Sequence, residues 1–178
     1  MRRFLLALIA CVGLAASAAA QTPQMRDPDN TLFLDVEYGR VVIVLRPDLA
    51  PKHVTRVKEL VRQRFYDGLL FHRVIDGFMA QTGDPKGNGT GGSGRNLPAE
   101  FSREPFVRGT IGAARTQDPN SADSQFFIMF APAPHLNGQY TVWGRVISGM
   151  EHIDKIKKGE PPRSPDKIVR LQIAADVK

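Results

Sequence analysis

Residues 71–84 read Phe71-His72-Arg73-Val74-Ile75-Asp76-Gly77-Phe78-Met79-Ala80-Gln81-Thr82-Gly83-Asp84. One guanidinium stands among Phe71, Val74, Ile75, Phe78 and Met79. Read as an alternating strand, Phe71, Arg73 and Ile75 share one face, and His72 and Val74 the other. Gly77 interrupts the alternation, as a bulge or bend does. An arginine keeps its charge, so a partly apolar setting demands a partner or a task for Arg73. It either pairs with a structural carboxylate, snorkels out of the sheet, or serves a ligand. This stretch alone weighs the structural and functional readings equally, because buried charges are usually paired for structural reasons.

Outward from this stretch the chain is a series of short β-forming runs. Residues 69–81 are mostly β-forming themselves. Upstream, Thr31 to Val36 and Val41 to Leu45 are joined through Glu37-Tyr38-Gly39-Arg40 and read as a hairpin. Pro51 opens a helix, since a first turn tolerates its missing N–H. Val54, Val57, Leu60 and Val61 then give one apolar face, ending near Arg64. Tyr66-Asp67-Gly68 is a turn signal, and residues 82–97 are glycine-rich and loop-like. Residues 110–115, 125–130 and 140–146 read as strands. A second helix is expected over 149–158, with Ile153 and Ile156 inward and Gly159 as its C-cap. Ile168 to Ile173 makes a last strand. Many short strands with two helices imply a mainly β protein whose antiparallel sheet is closed or nearly closed, with helices over its ends. Strand pattern alone leaves sandwich and barrel undecided.

Two further segments narrow the reading. One is Gly109-Thr110-Ile111-Gly112-Ala113-Ala114-Arg115-Thr116, followed by Pro119-Asn120-Ser121 and Ser124-Gln125-Phe126-Phe127-Ile128. The other runs from His135-Leu136-Asn137-Gly138 through Tyr140 to Trp143-Gly144-Arg145-Val146. In this order and spacing, the three segments resemble the cyclophilin family over essentially residues 32–174. The resemblance implies a closed eight-stranded antiparallel barrel capped by two α-helices. It also implies peptidyl-prolyl cis-trans isomerase activity on proline-containing polypeptides, with no cofactor and no metal.

The same resemblance assigns roles residue by residue. Arg73 matches the catalytic arginine. Phe78, Met79, Phe127 and Leu136 match the apolar pocket for the proline ring. Gln81 matches a glutamine that hydrogen-bonds the substrate backbone. Arg115 and Thr116 lie where the family presents a backbone segment to the peptide. His72 stands beside the arginine without a required acid–base role. His135 occupies a position that is tryptophan in many eukaryotic members, Tyr140 one that is often histidine, and Trp143 replaces a common phenylalanine. The first of these departures bears on sensitivity to cyclosporin.

The residue types suit the reaction. Rotation about an X–Pro amide is opposed by about 18–20 kcal/mol because the C–N bond is partly double. In the twisted transition state the proline nitrogen regains a lone pair. A donor aimed at that lone pair binds the transition state better than the planar ground state, and only such differential binding accelerates the step. A rigid, permanently charged guanidinium meets that need. A thousandfold gain requires only ~4 kcal/mol. The rival reading is a non-catalytic proline-peptide binding module or periplasmic chaperone on the same fold.

The termini and composition bound the setting. Met1-Arg2-Arg3, the apolar run Phe4 to Leu14 and the small-residue exit Ala18-Ala19-Ala20 make a signal peptide over residues 1–20. The run is too short for a membrane span, which needs about 20 apolar residues. The protein is therefore expected to be exported and periplasmic. Leu8-Ile9-Ala10-Cys11 also resembles a lipobox, and cleavage there would leave a lipid anchor on Cys11 as the alternative and the one route to a membrane. Removing residues 1–20 leaves 158 residues without cysteine: a polar lead-in over 21–30 and one domain over 31–178. The net charge is +6, or +4 without Arg2 and Arg3, and it is dispersed among Asp and Glu. Nucleic-acid binding is not indicated, and a monomer is expected. Gly87-Asn88-Gly89-Thr90-Gly91-Gly92 contains G-x-G-x-x-G, but no helix opens at it, so it reads as a tight loop. No G-x-S-x-G elbow accompanies Ser121 or Ser124, and the four histidines lack metal-ligand spacing.

Overall fold

The structure, a computed structural model, describes residues 27–177. The expected signal peptide, Cys11 and most of the lead-in lie outside the described residues. The end of the lead-in, Pro28–Asn30, is a single 3-10 turn capped by the Asp27 side chain.

Eight strands form one antiparallel sheet: β1 (Thr31–Val36), β2 (Gly39–Leu45), β3 (Arg73–Ile75), β4 (Met79–Thr82), β5 (Thr110–Ala113), β6 (Phe126–Met129), β7 (Val142–Ser148) and β8 (Ile168–Ile173). Their spatial order is β3-β4-β6-β5-β7-β2-β1-β8. The hairpin β1–β2 pairs from Thr31 opposite Val44 to Val36 opposite Gly39. Its inward residues Leu32, Leu34, Val41 and Ile43 are fully buried, as period-two alternation requires.

The sheet is open rather than closed, which corrects the expected barrel. β3 and β8 are its two edges and share no ladder. Loop backbone spans the gap instead. Phe71 N donates to Asp166 O at 2.9 Å, and Gly68 N donates to Ile168 O at 2.8 Å. The chain leading into β8 contains Pro161, Pro162 and Pro165. None of these can donate to a ladder, so a continuous strand cannot form there.

Two other expectations change. The second helix, α2, is only Met150–Ile153. The N–H of Lys157, which a continuing helix would use, donates to the buried carboxylate of Asp166 at 2.8 Å. Gly159 is not its cap: it exchanges backbone bonds with Val74. The run over 69–81 is two strands, β3 and β4, folded about Asp76-Gly77, where Gly77 has φ +68°. Phe71 lies before β3 and is fully buried, whereas Arg73 and Ile75 are half-buried on the other side from Val74. Phe71 therefore does not share a face with Arg73.

The first helix, α1 (Pro51–Arg62), buries His53, Val54, Val57, Leu60 and Val61. Ala50 offers it no capping side chain. Glu100, far along the chain, supplies the cap. Its carboxylate accepts from Lys52 N and His53 N, each at 3.0 Å, and lies 2.7 Å from His53 Nδ1. A carboxylate there satisfies two orphan donors and suits the positive end of the helix dipole.

The apolar residues form two clusters. The larger lies under α1 and includes Phe71, Phe126 and Trp143, whose rings meet edge-on for the last two at 5.3 Å. The smaller contains Met79, Phe106, Phe127, Met129, Ala133, Leu136 and Val142. Alternation in β4 and β6 divides the two: Ala80, Phe126 and Ile128 belong to the first, and Met79, Phe127 and Met129 to the second. The second cluster is the floor of the site.

Candidate active site

Strand register sets three side chains in one row. Arg73 of β3 faces Gln81 of β4, and Gln81 faces Phe127 of β6. Phe127 in turn faces Gly112 of β5. A Cβ at Gly112 would stand 2.5 Å from Cζ of Phe127 and 2.7 Å from Cε1 of Phe106. The missing side chain is what lets the two stacked rings, 5.7 Å apart, lie over the sheet.

Above this row is a cleft of about 770 Å³. Phe78, Met79, Phe127 and Leu136 line its apolar part, and Arg73 and Gln81 its polar edge. Phe78 stacks on His135, with centroids 5.9 Å apart and planes at 29°. Tyr140 meets Phe127 edge-on at 5.8 Å. The Arg115 guanidinium lies 4.4 Å above the Tyr140 ring and donates to Gln139 O. His72 also lines the cleft, 5% exposed. Burial is the main influence on its ring and outweighs the opposing charge of Asp84, so His72 is held below its ordinary pKa. Neither ring nitrogen has a hydrogen-bond partner within bonding geometry among the described residues. A neutral imidazole is therefore favoured at pH 7.

Of the residues singled out from sequence, Thr116 and Trp143 lie off this cleft. Trp143 is buried in the larger core cluster, and Thr116 is at the cleft's margin. It lines an adjoining cavity of about 500 Å³ that shares Gln81, Gly89, Ala114 and Arg115 with the first. Its Oγ1 is engaged with Ser121 Oγ at 2.8 Å.

Arg73 has a carboxylate partner that sequence reasoning missed. Its Nε donates to Glu160 Oε2 at 2.6 Å, and its Nη1 to Gln81 Oε1 at 3.4 Å. The side chains of Arg73 and Glu160 are 43% and 50% exposed. Solvent screens such a pair, so it is not a buried structural bridge of the kind weighed against function. Pro161 and Gln125 were missed as well. Gln125 accepts from Gln81 Nε2 at 2.9 Å and donates to Gly89 O and Gly91 O. Only Gln125 carried a local signal, being the polar residue before Phe126-Phe127.

The glycine-rich loop is built around two aspartates. The carboxylate of Asp84, 1% exposed, accepts from the backbone N–H of Lys86, Asn88 and Gly89. These and other backbone donors hold it below the ordinary carboxylate range, although burial, the largest influence, pushes the other way. Asp123 accepts from Ser93 Oγ and from Gly94 N. A Cβ at Gly91 or Gly92 would fall within 2.4 Å of one of these carboxylates. The G-x-G-x-x-G pattern thus serves close approach to the protein's own acids, not to a phosphate.

An open antiparallel sheet with an arginine beside an apolar cleft defines the class, and the comparisons agree. Residues 31–173 match the model of the family described as cyclophilin type peptidyl-prolyl cis-trans isomerase/CLD. The chain belongs to the cyclophilin-type peptidyl-prolyl cis-trans isomerase family. A probable peptidyl-prolyl cis-trans isomerase of Brucella suis is 56% identical over 193 residues, covering 99% of this chain and 98% of the relative. Peptidyl-prolyl cis-trans isomerase B of Bacillus subtilis is 40% identical, covering 72% of this chain and 90% of the relative. Among solved structures, a cyclophilin from Hirschia baltica superposes with a TM-score of 0.79 at 29% identity, covering 85% of this chain and 76% of that one. A cyclophilin-type isomerase of Cryptosporidium parvum, crystallised in the presence of the dipeptide Ala-Pro, gives 0.74 at 29% identity, covering 80% and 98%.

Proposed function

We propose that the cleft binds X–Pro segments of exported polypeptides and that Arg73 catalyses their isomerisation. The proline ring rests against Phe78, Met79, Phe127 and Leu136. The Arg73 guanidinium donates to the proline nitrogen as that nitrogen loses its amide resonance. Gln81, held by Gln125, bonds a backbone carbonyl outside the rotating bond, and Arg115 and Tyr140 wall the far side. The observation that carries this reading is the in-register row of Arg73, Gln81 and Phe127, which sets a fixed charge beside an apolar floor. One charge-assisted bond at a partly dry site contributes about 1.5–3 kcal/mol, and clamping of the ring supplies the remainder of a thousandfold effect. Every role is filled by a side chain of this chain. The presence of Ala-Pro in the Cryptosporidium parvum crystals supports a proline-containing substrate.

Turnover of an X-Pro peptide in a protease-coupled assay, lost in Arg73→Ala, tests the reading. Peptide binding without turnover would instead mark a binding module. Residues 1–20 direct export, and the protein assists folding in the periplasm. Sequencing the mature N-terminus from a periplasmic fraction should give Gln21. Acyl labelling of Cys11 would overturn the soluble form.

A further inference from the structure

Glu160 reaches the site from the loop between α2 and β8, 87 positions beyond Arg73 in sequence, and its Oε2 accepts a hydrogen bond from Arg73 Nε at 2.6 Å. Its backbone root is fixed. Gly159 and Val74 exchange two N–H···O=C bonds, both 2.8 Å, so the loop is tied to the strand that carries Arg73. Gly159 has φ +145°, and a Cβ there would stand 2.6 Å from Cα of Pro162. Only glycine lets the chain turn here and present Glu160. On the other side, Nη1 reaches Gln81 Oε1 at 3.4 Å, and Gln81 is itself held by Gln125 at 2.9 Å. Nη2 has no hydrogen-bond partner among the described residues, and the side chain lines the cleft.

We infer that Glu160 is a positioning residue for the isomerisation: it grips Arg73 at Nε and, with Gln81 at Nη1, leaves Nη2 turned to the proline nitrogen. The inference rests on Arg73 being the catalytic donor. A free arginine samples many rotamers, and only some place an Nη–H against the twisted amide. A partner at Nε removes the others before substrate arrives. Because both side chains are about half exposed, the pair adds little to stability. Its effect is therefore read in turnover rather than in melting.

The test is a double-mutant cycle on the full-length protein with an X-Pro peptide, measuring kcat, KM and Tm. The variants are Glu160→Gln, Glu160→Asp, Arg73→Ala and the double variant Arg73→Ala/Glu160→Gln. Glu160→Gln is expected to lower kcat about two- to fivefold, the range an exposed ion pair can supply, with KM and Tm unchanged. Glu160→Asp should recover part of that loss. In the Arg73→Ala background, Glu160→Gln should have no further effect. Equal losses in both backgrounds would overturn the inference, because Glu160 would then act on the substrate or the fold directly. A gain in kcat would overturn it too, by showing that the pair restrains Arg73. An inert Glu160→Gln beside a crippled Arg73→Ala would sink this inference alone. Full turnover in Arg73→Ala would remove the assignment of Arg73 and this inference with it.

Discussion

Arg73 and Gln81 face each other across β3 and β4, and Nη1 of the first donates to Oε1 of the second at 3.4 Å. The bond is long for a charge-assisted one. It orients the two side chains without consuming the guanidinium. Arg73→Ala is therefore expected to lower kcat/KM at least about tenfold, as loss of one charge-assisted bond made in the transition state requires. Tm should stay close to that of the parent, because the side chain is nearly half exposed. A fall in Tm with unchanged turnover per folded molecule would show Arg73 to be structural.

Gly112 offers a test of the floor. A methyl at this position meets Phe127 Cζ at 2.5 Å and Phe106 Cε1 at 2.7 Å. Neither ring can retreat freely, since Phe106 is 1% and Phe127 5% exposed. Gly112→Ala should force Phe127 toward the cleft, at a cost of about 1–3 kcal/mol in overpacking. The expected outcome is a lower Tm together with a raised KM for X-Pro peptides. An unchanged KM would mean that Phe127 does not bound the substrate subsite.

The cap on α1 predicts a pH dependence. Burial holds the His53 ring below its ordinary pKa, outweighing the nearby Glu100 carboxylate. Burial pushes Glu100 up, but its hydrogen bonds from His53 and from the backbone of Lys52 and His53 hold it below its ordinary value. Both folded-state values are depressed. Each group therefore contributes stability that is complete above its unfolded value and lost as pH falls. Loss should begin below about 6.5 for the histidine and below about 4.3 for the glutamate. Glu100→Gln should lower Tm by roughly 3–8 °C at pH 7, since replacing a capping side chain costs about 1–2 kcal/mol. The difference from the parent should shrink as pH falls through the depressed folded-state value of Glu100, where its carboxyl becomes as uncharged as the glutamine amide. A difference that is constant across that range would show that the charge of Glu100 contributes nothing.

Most of the cleft was legible because its residues come in runs. Met79 and Gln81 sit in β4 with Phe78 just before it, and Phe126 and Phe127 open β6 with Gln125 just before it, so alternation and resemblance act on contiguous text. The sheet order was not legible, since β6 lies between β4 and β5 through pairings no local pattern encodes. The open edge was hidden for a related reason. Whether β3 meets β8 depends on where Pro161, Pro162 and Pro165 fall across a gap of some hundred residues. Glu160 was invisible on the same ground: an acidic residue before two prolines reads as a linker. The short α2 depended on Asp166 capturing the Lys157 N–H, a contact that helical periodicity cannot foresee.

His135 stacks on Phe78 at 5.9 Å at one end of the cleft, and this contact bears on drug binding. In relatives with tryptophan at this position, an indole supplies more apolar area and an N–H donor at the rim. An imidazole covers less area, and in its neutral form offers one donor whose direction depends on the tautomer. Loss of a well-packed aromatic anchor costs about 2 kcal/mol or more, some thirtyfold in affinity. Of the proposed ring subsite, Met79, Phe127 and Leu136 are set in the smaller core cluster, and Phe78 is the member stacked on His135. The natural protein is therefore expected to turn over X-Pro peptides while binding cyclosporin weakly. His135→Trp should tighten cyclosporin at least tenfold and leave kcat/KM within about twofold, because the gain falls on the rim rather than on the rotating bond. Titration of both forms by calorimetry, alongside the turnover assay, decides the matter. Tight binding by the natural sequence, or no gain in His135→Trp, would show that the stacked His135–Phe78 pair does not form the rim the drug contacts.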